Sequence, residues 1–524
     1  MATSGVTDAE LAAVRVAFWR YERALMSDDV AELDRCFLPG PATLRADAAA
    51  VLVGSDAIAA FRAGRGGAPA RIVDRVHLAG VAPGVVVAVA ETRRRDGARG
   101  LQSQTWVTTP DGWRVAAAHV SVEPAGAGPV WRLRGTPLVP GAGAGPLRGV
   151  GVAVKDLFAV AGYRTGAGNP TWLQEAAVQE RSAGAVQALL DAGADVVGIA
   201  QTDELAYSLA GANPHYGTPP NPRVPGHLPG GSSSGPASAV ALGEADAGLG
   251  TDTAGSIRVP ASYLGLLGLR PSHGTVDAQG LVPLAPRFDT VGVLARDAAT
   301  LLRVADVLLP PAPPEGLAPP RTVLLPADLF AIADADVAAD CRAAALSLAA
   351  AKGLDAVEVD ALASDDLEEW FAAFRTVQAA QAHDAHGAWV LAHPGALGAA
   401  VAERFALAAA LTPTERADTV RTLDAAVATL RGRVPAGAVV AFPATSSSAP
   451  PLGQSAQEEA QVRGATLRLT CLASLGGLPA LVLPARARDP DPDPDPGPGL
   501  AASAPVGLCL LGSRHSDRTL LALA

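Results

Sequence analysis

The sequence predicts an α/β protein preceded by a small α+β unit, and three observations carry this. Over residues 8–122, apolar residues first recur at three- and four-residue steps and then gather in strand-like runs, giving a helix followed by a sheet. A Gly-, Ala- and Pro-rich stretch without periodicity follows at 124–149. From Gly149 onward, short apolar runs alternate with helical segments, the pattern of an α/β layer structure.

In the first unit, Leu11, Val14, Phe18, Tyr21 and Leu25 define one face of an amphipathic helix opened by Asp8. Residues 85–90 form an apolar run, and 102–107 pairs with 113–122 across the turn Thr109-Pro110-Asp111-Gly112. A helix followed by a curved antiparallel sheet predicts a cone-shaped domain with an internal pocket. Residues 125–148, with Pro140-Gly141-Ala142-Gly143-Ala144-Gly145-Pro146, are expected to be a linker between a domain at 1–124 and one at 149–524. In the second domain the expected elements are a buried strand at 150–154, a helix at 183–192 closed by Gly193, and a strand at 196–199. A helix at 237–242 and alanine-rich helices at 367–391 and 399–410 follow. Residues 443–451 read as a loop, and the Asp-Pro repeat at 489–499 as an extended, solvated segment.

At 524 residues the chain is long enough for two or three cores. Its net charge of -11 and pI near 5.3 argue against a nucleic-acid partner. With no apolar run of about 18 residues and no secretion leader, neither a membrane partner nor export is expected, and a cytoplasmic location follows. Cys36, Cys341, Cys471 and Cys509 are far apart, as free thiols would be; neither a metal nor another cofactor is expected.

The chemistry concentrates in Gly230-Gly231-Ser232-Ser233-Ser234-Gly235 and Asp252-Thr253-Ala254-Gly255-Ser256-Ile257-Arg258-Val259-Pro260, two glycine-embedded serine stretches. Glycine at that density lets backbone N–H groups approach a ligand. The chain has only two lysines, Lys155 and Lys352, among 41 basic residues. Lys155 ends the apolar run Gly151-Val152-Ala153-Val154, where desolvation can hold an amine neutral; a guanidinium cannot lose its proton there.

These stretches, with Gly151-Val152-Ala153-Val154-Lys155-Asp156 upstream and Ala504-Pro505-Val506-Gly507 near the end, resemble the amidase-signature hydrolases. The resemblance implies a three-layer α/β/α fold on a mixed sheet and a Ser-cisSer-Lys triad. In it Ser256 is the nucleophile, Ser232 follows a cis peptide and bridges, and Lys155 is the base. It further implies an oxyanion hole from the N–H groups of Thr253, Ala254, Gly255 and Ser256, with Ser233, Asp252 and Arg258 in support. An unassisted hydroxyl needs such a base to become a nucleophile. The expected reaction is hydrolysis of a small-molecule carboxamide through an acyl-serine, releasing ammonia.

Within that family, Ala206-Tyr207-Ser208, Pro214-His215-Tyr216-Gly217-Thr218-Pro219, Arg258-Val259-Pro260-Ala261-Ser262-Tyr263 and Gly268-Leu269-Arg270-Pro271-Ser272-His273-Gly274 are similar to the indole-3-acetamide amidohydrolase branch. Plant chloroplast import receptors carry a related domain without the catalytic residues. The pocket walls are expected from helix 367–391 and loop 443–451.

Three rival parses weigh less. Ser233 sits at the centre of a Gly-x-Ser-x-Gly elbow, but no hydrophobic strand precedes it. No Gly-Lys-Ser/Thr completes a phosphate loop. His383 and His386, with Asp384 between them, have helical spacing but no third ligand, and read as two partly exposed helix histidines.

Residues 8–122 resemble the AtzH/HpxZ-type proteins of the nuclear transport factor 2-like fold. The resemblance is carried by Arg20-Tyr21-Glu22-Arg23-Ala24-Leu25, Thr43-Leu44-Arg45, Asp56-Ala57-Ile58-Ala59-Ala60-Phe61-Arg62, Gln102-Ser103-Gln104-Thr105-Trp106-Val107 and Pro110-Asp111-Gly112-Trp113-Arg114. It implies a carboxylate-binding site at Tyr21 and Arg45, although Ala46, Val53 and Ser55 stand where active relatives carry tyrosines. The alternative roles for this unit are dimerisation, giving a homodimer, or substrate handling. For the whole chain the alternatives to a carboxamide hydrolase are a ureide or carboxylated-urea hydrolase, an amidotransferase subunit, and a non-catalytic amidase-like scaffold.

Overall fold

The computed structural model describes residues 5–47, 51–64, 71–94, 99–122, 128–311, 319–363, 366–486 and 504–524. The Asp-Pro repeat at 489–499 lies outside these. The chain divides into two compact units: Met1–Ala127 with Leu133–Thr136, and Gly128–Arg132 with Pro137–Ala524.

In the first unit the helix Asp8–Met26 is capped one residue earlier than expected. The Thr7 hydroxyl accepts from the Glu10 N–H, and the Glu10 carboxylate accepts from Thr7 in return. Its Val14, Phe18, Tyr21 and Leu25 share a core with Ile58, Val86, Ala88, Trp106 and Val115. The sheet is an antiparallel meander of Arg71–Ala82, Val85–Arg94, Arg99–Thr109 and Gly112–Val122. It is extended by Leu44–Ala46, parallel to the last of these, and by Val51–Val53.

The second unit is built on an eleven-stranded mixed sheet. Third from one edge, Gly151–Lys155 runs parallel to both Asp195–Ala200 and Ala247–Asp252. Ala247–Asp252 is antiparallel to Thr290–Ala295, which pairs with Leu267–Arg270. Ala480–Pro484, Gly507–Leu511, Ala438–Pro443, Thr322–Pro326 and Asp355–Val359 complete that side. Val152, Ala153 and Val154 are buried, as a strand covered on both faces requires; hence the continuous apolar run in the sequence.

Two features were hidden in the sequence. Within 125–148 lies a nine-residue strand, Trp131–Val139, at the sheet edge; its Trp131 indole donates to Glu244 at 2.6 Å. The helix Ala456–Gly476 buries nearly all of its second half, from Thr466 onward, so its apolar residues there follow no one-sided stripe. It packs beside the other long helices, Leu367–Ala392 and Pro413–Arg433.

Candidate active site

Chain direction brings the site together. Lys155 and Thr251–Asp252 stand at the carboxyl ends of two adjacent parallel strands, where open α/β sheets place their ligands. The second serine stretch turns from the end of Ala247–Asp252 into the short helix Arg258–Leu264, and the first leads from the irregular segment after Asp195–Ala200 into the helix Ser234–Ala241. The Gly231–Ser232 peptide bond is cis.

The Lys155 amine, fully buried, donates to Ser232 Oγ at 2.8 Å, Ser233 Oγ at 3.0 Å and Thr251 Oγ1 at 2.8 Å. Ser232 Oγ in turn lies 3.0 Å from Ser256 Oγ. Burial lowers Lys155 to about 7, while the carboxylates of Asp203, Asp252 and Asp289 pull in the opposite direction. These three protons match an ammonium. Once one proton is lost, two N–H groups remain for Ser233 and Thr251, and the freed lone pair faces Ser232.

Asp252 organises the loop that carries Ser256. Burial alone would raise its carboxyl, but Arg258 and Arg270 hold it well below the usual carboxylate range. Arg258 reaches it at 3.0 and 2.8 Å, Arg270 at 3.0 Å, and the N–H groups of Gly255 and Ile257 donate to it at 2.9 and 3.1 Å. This corrects one expectation. Gly255 commits its N–H to Asp252 and is not free to serve an oxyanion. The N–H groups of Thr253, Ala254 and Ser256 have no partner among the described residues.

Sequence reasoning missed four supporting groups. Thr251 is an Nζ partner, and Arg270 is the second guanidinium on Asp252. Asp203 accepts from Ser234 Oγ and Gly211 N at 3.0 and 2.9 Å, and Thr470 Oγ1 donates to the Ala254 carbonyl at 2.6 Å. The two lysines and the glycine spacing gave signals for the triad; these four are ordinary polar residues that only packing identifies.

In the first unit Tyr21 is a core residue, its ring 6.2 Å from that of Phe37. Burial raises its phenol. Arg45 pairs with Asp47 at 2.9 Å and lies 4.2 Å over the Phe61 ring. The main buried polar group there is one the sequence did not single out: Arg71 donates to Glu22 at 2.7 Å and to Gln102 at 2.6 Å. The helix histidines are corrected in part. His386 is buried, its Nε2 at 2.6 Å from the Pro283 carbonyl, and Asp384 pairs with Arg416. Among the described residues no group of three His, Cys, Asp or Glu could hold a metal.

An α/β unit with a Lys-Ser-Ser chain at its strand ends defines a class, and comparison with known proteins names it. Residues 138–521 match the Amidase family, and the chain belongs to that family. Residues 6–125 match the family described as AtzH-like. Amidase 1 of Oryza sativa subsp. japonica is 54% identical over 165 residues, 32% of this chain and 38% of that protein. The translocon at the outer membrane of chloroplasts 64 of Pisum sativum is 46% identical over 164 residues, 31% of this chain and 28% of that protein. The chain thus spans well under half the length of these curated relatives. Among solved structures, an amidase matches with a TM-score of 0.62 at 30% identity, over 72% of this chain and 84% of its own. The allophanate hydrolase of Kluyveromyces lactis matches with a TM-score of 0.63 at 26% identity, over 72% and 61%.

These relatives correct the expected cytoplasmic location. A translocon of the chloroplast outer membrane stands among them, so kinship does not assign a compartment. The expectation rested on the lack of an apolar span, and a domain without one can still be held at a membrane. Among the described residues no helix is long and apolar enough to cross a membrane.

Proposed function

We propose that this chain hydrolyses the C–N bond of a small-molecule carboxamide through an acyl-serine, releasing ammonia. The observation that carries the reading is the buried line from Lys155 Nζ through Ser232 Oγ to Ser256 Oγ, with steps of 2.8 and 3.0 Å. With Lys155 neutral, the Ser232 hydroxyl donates to Nζ and the Ser256 hydroxyl to Ser232. Attack of Ser256 Oγ on the amide carbon then passes its proton to Ser232 as the Ser232 proton moves to Lys155. The N–H groups of Thr253, Ala254 and Ser256 are the donors for the developing oxyanion, each worth about 3 kcal/mol in such a site. The proton held on Lys155 returns by the same route to the departing nitrogen, and water then cleaves the ester. Metal or nucleotide has no part in these steps.

Ammonia release from a panel of primary amides by the purified chain tests this, with Ser256→Ala expected to release none. Release undiminished in that variant would refute the assignment of Ser256. A second reading, a ureide or carboxylated-urea hydrolase, is favoured by the AtzH-like match and by likeness to an allophanate hydrolase. Allophanate and biuret in the same panel separate the two readings. The unbroken Lys155–Ser232–Ser256 chain argues against the non-catalytic scaffold.

A further inference from the structure

A cavity of about 280 Å³ in the second unit is lined by Tyr207, Gln378, Leu407, Leu411 and Leu467 together with Arg375, Arg404 and Arg463. The three arginines come from three helices, Leu367–Ala392, Ala399–Ala409 and Ala456–Gly476. None forms an ion pair among the described residues, in a chain whose net charge is -11. Arg463 Nε is buried and has no hydrogen-bond partner, whereas Arg404 donates to the Tyr207 carbonyl. Burial and the two neighbouring guanidinium groups lower Arg463 to about 10. Two acids act on these groups without pairing with them: Glu459, one turn before Arg463 on the same helix and lining a neighbouring space with it, and Asp203, which acts on Arg404. Arg375 and Leu407 are exposed, so the cavity opens to solvent, and the repulsion among its three guanidinium groups favours an anion between them.

The cavity shares a wall, Arg463, with a second, smaller space nearer the serine loops, lined also by Leu209, Val259, Tyr263 and Thr466. The Leu209 carbonyl accepts from Gly231 N at 2.8 Å, and Val259 N donates to the Gly255 carbonyl at 2.8 Å, so this space abuts both serine loops. On the helix, Arg463 is seven residues before Thr470, which holds the Ala254 carbonyl. That places its backbone about 10 Å along the axis from that of Thr470.

We infer that the substrate carries a carboxylate on its acyl side, held by Arg375, Arg404 and Arg463 across an apolar spacer from the scissile amide. The class is the monoamide of a dicarboxylic acid, in contrast to the uncharged arylacetamide that motif resemblance suggests. Guanidinium forks are suited to carboxylates, and Leu407, Leu411 and Leu467 to the methylenes between. The inference rests on the acyl-serine reading above.

The test compares kcat/KM for succinamic, glutaramic and adipamic acids with butyramide, valeramide and hexanamide, in the wild-type chain and in Arg463→Gln and Arg375→Gln. The wild type prefers the carboxylated member of at least one matched pair. Each variant lowers that preference roughly ten- to a hundredfold, the scale of a lost hydrogen bond to a charged group. The ratio is internal to each protein, so partial misfolding of a variant does not move it. An equal rate on both members in the wild type, or an unchanged ratio in both variants, overturns the inference. Binding is read separately: adipate or glutarate raises the wild-type melting temperature, and Arg463→Gln abolishes the rise. If no amide is hydrolysed but that dicarboxylate effect appears, the anion site stands and the acyl-serine reading fails. Absence of both a rise and a substrate preference overturns the site itself.

Discussion

In the proposed reaction Lys155 is the deciding residue, because its charge is the variable one. The surrounding hydroxyls of Ser232, Ser233 and Thr251 solvate either form, and burial sets the balance near neutrality. The base form is the deprotonated one. Activity therefore rises with pH, roughly tenfold per unit below the transition, and levels off above about 7. A kcat/KM profile on a neutral amide checks this; a profile falling through that region contradicts it. Asp252 is the opposite case, a carboxylate that stays charged because two guanidinium groups require it. Replacing it by Asn keeps its shape but leaves buried Arg258 and Arg270 without their counter-charge. Asp252→Asn is expected to lose about 3–5 kcal/mol in denaturant unfolding. A loss below about 1 kcal/mol, the scale of an exposed pair, would show that this network is dispensable.

At the scale of elements, the serine loops depend on backbone approach. A Cβ on Gly231 would lie 2.4 Å from Asp203 Oδ2 and 2.7 Å from Gly211 N, and the second of these is backbone that cannot swing away. Gly231→Ala is expected to lower kcat/KM at least a hundredfold, since an ångström of displacement in a positioned group has that effect. Near-native activity would mean the loop yields. Both serine loops and the Lys155 strand were legible because their residues are local: glycines at fixed offsets, and a lysine closing an apolar run in a chain nearly devoid of lysine. Thr251, Asp203 and Arg270 were not, because each is one polar residue whose partners lie far away in sequence. Gly255 was misread for another reason: its partner Asp252 is only three residues away, but which loop N–H the carboxylate takes is set by the fold of the loop. The strand Trp131–Val139 was hidden by glycine- and proline-rich flanks, and the helix Ala456–Gly476 by burial around most of its second half. Arg375, Arg404 and Arg463 lie on three helices and share no local pattern.

For the whole molecule, two units with separate cores predict two unfolding transitions in calorimetry, the smaller from the unit built around Phe18 and Trp106. A single transition with equal calorimetric and van't Hoff enthalpies would show that the cores are coupled. The central claim concerns the second unit alone: a neutral Lys155 takes, through Ser232, the proton of Ser256. A fluorophosphonate probe followed by peptide mass mapping tests it most directly, in the wild type and in Lys155→Arg, over a range of pH. Modification is predicted at Ser256, with a rate that climbs through about pH 7 and is lost when arginine replaces the lysine. Modification at Ser233 instead, or at Ser256 with the same rate and pH profile in Lys155→Arg, would contradict the account.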